Sequence, residues 1–226
     1  MLTFSVSMEE ASSAAVLQFL RDVGHDFECA VSLGFFGPGV PAVQVSVQPA
    51  SRTLVHIHLH TDAFSHAALR VLRGMCERGR LADELPLQWL GSVGQGIPAM
   101  ASGDALTSLA SGVPPVFLLV RPPYLGFGEQ LVVLLEFDAV ANDAQIALVE
   151  SGLAAWTALL RGGLPPDDCM PGESDVGATA GTRIGSTTYQ WFVETAVAHE
   201  VCIDLLVNFL EAHAAYLRLI SMEVEV

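Results

Sequence analysis

The most regular stretch of the chain alternates. Leu54, Val55, His56, Ile57, His58, Leu59 and His60 place apolar and imidazole side chains at successive positions. A period of two belongs to a strand, so it predicts one face of Val55, Ile57 and Leu59 and an opposite face of His56, His58 and His60. Asp62 follows where a helix cap would stand, opening a helix over about 62–79. On that helix Ala68, Val71, Leu72 and Met75 share one side, with Arg70, Arg73 and Glu77 on the other.

Similar patterns divide the remaining sequence. Residues 2–7 alternate as a strand, and Glu9, Glu10 and Ser12 open a helix with acids at the positive end of its dipole. Its stripe is Val16, Leu20 and Val23, and Gly24 is expected to end it. Strands at about 28–35 and 41–48 flank the turn Gly37-Pro38-Gly39, and Leu85 to Leu90 adds another. Val116–Val120 and Gln130–Phe137 read as strands, followed by a helix over about 141–161. Ile146, Val149, Leu153, Trp156 and Leu160 give that helix its 3.6-residue period. Prolines, glycines and four acids mark 164–181 as an acidic loop. A strand at about 182–194, a helix at about 197–215 and a strand at about 217–226 follow.

Both halves run through the same kinds of element. The expected fold class is therefore α+β, as tandem ferredoxin-like (βαββαβ) units with mostly antiparallel sheets and helices on one face of each. A single mixed α+β domain is the alternative. The boundaries are 1–93 for the N-terminal unit, 94–115 for a Gly/Pro-rich connection and 116–226 for the C-terminal unit. Ser51 to Met75 and Ser186 to Phe209 have similar patterns, which suggests an internal repeat. In the second of these, Tyr189, Trp191 and Val193 alternate with Gln190, Phe192 and Glu194. Aromatics placed where the first half has histidines would suit two sheets facing each other across a shared pocket.

Composition narrows the function classes. The chain is 51% hydrophobic with a mean hydropathy of +0.47. Its most apolar windows, such as Ala105 to Val120, are interrupted by proline, glycine and serine, so no membrane span is expected. The first ten residues lack the basic region and long apolar core of a signal peptide, and the expected location is the cytoplasm. The net charge is −15 and all ten basic residues are arginine, which argues against nucleic acid as a partner. Such a surface either keeps the protein soluble or speeds encounter with a basic partner. Cys29, Cys76, Cys169 and Cys202 form no CxxC pair and no disulfide framework is expected.

The histidine strand is the main candidate for chemistry. Side chains at i and i+2 project in parallel, roughly 6–7 Å apart, and can share a metal ion. His56, His58 and His60, completed by Asp62 or His66, would suit a divalent transition metal such as zinc, iron or copper. A plain row of polar, half-exposed histidines explains the same pattern. Protonated together, the three would repel and lower one another's pKa, with Asp62 working against this. Asp62 and His66 could also form a carboxylate–imidazole base pair, unless Asp62 only caps the helix.

Arg70 and Arg73 could hold an anion, or simply balance nearby acids. His199 and Cys202 lie one turn apart, but in acidic surroundings that oppose a thiolate. Gly91, Gly94 and Gly96 lack the spacing of a nucleotide loop. The first functional expectation is an acidic interaction protein, for instance an antagonist that captures a basic toxin or nuclease. Tyr124 and Phe127 would then be interface anchors, and a homo-oligomer is compatible with an open sheet face. The second is a metal-binding protein or metal-dependent enzyme that uses the histidine face.

Overall fold

A computed structural model describes residues 1–8, 14–37, 40–61, 66–78, 87–92, 114–121, 130–161, 176–195 and 200–225. Within these residues the protein is α+β, with four helices and two antiparallel-rich sheets. The first sheet has β1 (Leu2–Met8), β2 (Gln44–Pro49), β3 (Leu54–His60) and β4 (Leu87–Ser92) in the order β2-β3-β1-β4, all neighbours antiparallel. Its helices are α1 (Ala14–Ser32) and α2 (His66–Arg78). Phe4, Val6 and Met8 of β1 and Val55, Ile57 and Leu59 of β3 are buried in the core. They join Val16, Leu20, Val23 and Phe27 of α1 and Leu69, Leu72 and Met75 of α2.

Helix α1 does not stop at Gly24. Phe27, Ala30 and Val31 continue the buried stripe, so much of the segment expected as a strand at 28–35 is helix. Gly24 serves close packing instead. A Cβ there would lie 2.9 Å from Cγ1 of Val45, so its absence lets α1 rest on β2. One turn later the Glu28 carboxylate accepts the backbone N–H of Val45. The helix ends at Gly34, whose φ of 83° is the left-handed cap. Gly34 N–H donates to Val31 O and Phe35 N–H to Ala30 O, each at 3.1 Å, as in a Schellman motif.

The second sheet has β5 (Leu118–Val120), β6 (Gln130–Phe137), β7 (Val176–Arg183), β8 (Thr188–Thr195) and β9 (Leu219–Glu225). Their order is β5-β9-β6-β8-β7, and only the β5–β9 pair is parallel. Its helices are α3 (Asp143–Arg161) and α4 (Glu200–Leu217). Strands β9-β6-β8-β7 hold the places that β4-β1-β3-β2 hold in the first sheet. Helix α3 opens on a reciprocal cap that completes two orphan donors. Gln145 N–H donates to Asn142 Oδ1, and Asn142 N–H donates to Gln145 Oε1, both at 2.9 Å.

Where one strand was expected at about 182–194, the chain forms the hairpin β7–β8. Residues 176–181, expected in the acidic loop, belong to β7, while 162–175 lie outside the described residues. Small side chains hid β7 from a hydrophobicity reading. Gly181 has a packing reason, since a Cβ there would meet the Tyr189 hydroxyl at 1.8 Å.

Helices that pack on the two sheets meet each other. Phe35, just after α1, stacks on Phe209 of α4 with ring centres 5.1 Å apart. Asn208, buried beside it, donates from Nδ2 to Phe35 O at 3.0 Å. The Phe209 ring also lies over Gly152 of α3, where a Cβ would come within 2.1 Å of it. The contacts therefore contradict the expected pocket between two facing sheets. Tyr189 and Trp191 are buried on the core side of β8, and Phe192 is the aromatic on the opposite side.

Candidate functional site

Each sheet keeps one face out of the core, and backbone register defines both faces. In the first sheet His56, His58 and His60 of β3 stand opposite Gln48, Ser46 and Gln44 of β2. On the other side, His56 and His58 pair with Ser5 and Thr3 of β1. Ser7 and Gln88 extend the same face. The resulting surface has imidazoles, hydroxyls and amides, with no carboxylate at these positions. His56 and His58 are half-buried and His60 is exposed.

Their rings are held in definite relations. The centres of His56 and His58 lie 5.9 Å apart, edge to face. Thr3 Oγ1 is 2.9 Å from His58 Nδ1, and Ser46 Oγ is 3.5 Å from His60 Nε2. The pKa of His58 is lowered, first by burial and then by the positive charges of His56 and His60. That is the direction expected from three imidazoles sharing one face.

The outer face of the second sheet is built differently. Val132, Leu134 and Glu136 of β6 pair with Phe192, Gln190 and Thr188 of β8. On the other flank they pair with Glu225, Glu223 and Ser221 of β9. Leu118 and Val120 of β5 continue the face beside Ser221 and Glu223, and are 63% and 41% exposed. Glu194 lies two positions beyond Phe192 on β8 and is exposed. Val132, Leu134 and Phe192 thus form a half-buried apolar strip edged by Glu136, Glu194, Glu223 and Glu225. Among the described residues none of these four carboxylates is in an ion pair; the arginines at 121, 183 and 218 engage Asp204, Asp143 and Asp138.

The residues singled out from sequence are distributed unevenly. His56, His58 and His60 do share one face. Asp62, Tyr124, Phe127, His199 and Cys169 lie outside the described residues, as does the side chain of His66. Arg70 and Arg73 sit one turn apart on α2, both half-buried. Cys76 and Cys202 are buried, and burial followed by the charges of Asp26 and Glu28 pushes the Cys29 thiol pKa up, which opposes a nucleophilic role. No group of three His, Cys, Asp or Glu side chains that could hold a metal occurs among the described residues. No described helix is long and apolar enough to cross a membrane.

The acidic strip was not found from sequence. Leu131 to Leu135 is an unbroken apolar run that hides which of its residues face outward, and its glutamate neighbours come from distant segments. The signal available was Glu223 and Glu225 alternating with Met222 and Val224 in the last strand.

Comparison with known proteins adds little to these faces. No family model matches the chain, and neither does any curated protein. Among solved structures, the crystal structure of a proposed glycine cleavage system transcriptional repressor aligns over 99% of this chain and 96% of its own, at 8% identity and a TM-score of 0.25. A superposition of that quality supports no conclusion about fold or function.

Proposed function

We propose that this protein is a non-catalytic interaction module, made of two ferredoxin-like units in tandem, that captures a basic protein partner as an antagonist would. The tandem reading is supported by the matching strand order of β4-β1-β3-β2 and β9-β6-β8-β7. The functional reading is carried by one observation, the Val132, Leu134 and Phe192 strip edged by four glutamates. An apolar centre with a polar rim is the usual anatomy of a protein interface. Its carboxylates would steer a Lys- or Arg-rich surface toward it, aided by the net charge of −15. A second copy of the chain on the same face would set carboxylate against carboxylate, so a basic partner fits better.

The test compares two baits in a lysate of the native host: the wild type and a Glu136→Gln/Glu194→Gln/Glu223→Gln/Glu225→Gln variant. The expected result is a basic protein retained by the wild type and lost from the variant. For the purified pair, the association rate should fall as ionic strength rises. A partner that binds the variant equally well, at a rate indifferent to salt, removes this reading.

A further inference from the structure

We propose that His56 and His58 form a two-imidazole chelate for one divalent transition-metal ion of the nickel, copper or zinc type. This proposal concerns the first sheet and is independent of the partner proposed for the second. Strand β3 sends both side chains to the same side, and their ring centres are 5.9 Å apart. With metal–nitrogen bonds of about 2.0–2.1 Å, two imidazoles sharing an ion have ring centres roughly 5–6.5 Å apart, depending on the angle at the metal. The observed spacing lies in that range, so the strand already sets the two rings at chelating distance.

A second feature is the Thr3 hydroxyl, 2.9 Å from His58 Nδ1. With the proton on Nδ1, the ring donates to Thr3 and keeps the Nε2 lone pair for a metal. Metal-bound imidazoles commonly hold their other nitrogen in this way. His60 contributes less, because its Nε2 already faces Ser46 Oγ at 3.5 Å and its ring lies at the exposed end of the strand. The neighbouring hydroxyls and amides supply no negative charge. Calcium and magnesium, which need several oxygen ligands, are therefore poor candidates, while imidazole suits nickel, copper and zinc. Water would fill the remaining coordination positions.

The experiment titrates Ni²⁺ into the untagged, EDTA-stripped full chain at pH 7.5 by calorimetry. One ion per chain is expected. His56→Gln and His58→Gln should each weaken binding by more than about tenfold, and Thr3→Val by about tenfold through loss of the ring's support. His60→Gln should stay within about twofold of wild type, since its ring lies outside the chelate. Both histidines of the pair are on an outer face, so the double variant should keep the wild-type circular dichroism spectrum. Nickel binding of wild-type strength in that folded double variant overturns the site. A loss in His60→Gln as large as that in His58→Gln overturns the assignment to this pair.

Discussion

Strands β3 and β8 hold equivalent places in two sheets of like order, and their outer faces have opposite chemistry. β3 shows His56, His58 and His60 among serines, threonine and glutamines. β8 shows Gln190, Phe192 and Glu194 beside an apolar strand and a row of glutamates. Their inner faces, by contrast, do one job: Val55, Ile57 and Leu59 and then Tyr189, Trp191 and Val193 are buried under helices. Folding constrains the inner faces to be apolar and well packed, but it leaves the outer faces free to differ. The difference between the outer faces is thus where function has room to reside. A half-exposed Val132, Leu134 and Phe192 is also unexpected for a sheet face that meets only water.

The largest expected effect tests this division on adjacent residues. Trp191 is buried, 5.8 Å from Trp156, whose indole N–H donates to Cys202 O at 2.7 Å. Trp191→Ala should cost about 3–5 kcal/mol in urea unfolding, through lost burial and the cavity it leaves. Phe192→Ala, one residue on and facing outward, should cost about 1 kcal/mol or less. Equal losses would mean that the outer face is part of the folding core, and the acidic strip would lose its claim to be a docking surface.

A smaller effect concerns the glutamates. Glu223 and Glu225 are two apart on β9, and Glu136 stands across from Ser221, next to Glu223 on that face. Like charges so close on a sheet face oppose folding, so Glu223→Gln should stabilise the protein by about 0.2–1 kcal/mol at low salt. Half-molar salt should remove most of that gain. The strand positions paired with the histidines carry no carboxylate, so removing charge offers no such gain there. A Glu223→Gln variant no more stable than wild type at low salt would show that these charges are too well solvated to interact.

How much of this was readable beforehand depended on whether the information was local. β3 announces itself through six alternating residues, Val55 to His60, and α3 through the period of Val149, Leu153, Trp156 and Leu160, so both were placed within a residue or two. Gly24 was misread because its role depends on Val45, a strand away, and a glycine that allows close packing looks like one that ends a helix. β7 escaped because its Gly181 and small side chains answer to Tyr189 rather than to a hydrophobic pattern. The reciprocal cap of Asn142 and Gln145 was legible and was missed. The histidine face needed one strand to be seen. The acidic strip needed the order of β5, β9, β6 and β8, which no local pattern supplies.

The smallest effect is on pH, and it distinguishes the faces most directly. His58 has its pKa lowered by burial and then by His56 and His60, while the strand positions paired around it are Thr3, Ser5, Ser46 and Gln48, none of them a carboxylate. The unfolded chain then has an imidazole of ordinary pKa, about 6.5. As pH falls below that value, the unfolded state takes up the proton before the folded state does. Stability therefore declines from about pH 6.5 downward, and the decline from this group ends once pH has passed the folded-state pKa. Urea unfolding between pH 5 and 8, with EDTA present to exclude metal, should show the wild type losing more stability on acidification than His58→Gln. Every other titratable group is common to both proteins, so the difference between the two curves isolates His58 and its neighbours. Parallel curves would mean that His58 is solvated and uncoupled from its neighbours. The three imidazoles would then share a direction on the strand without sharing an electrostatic environment.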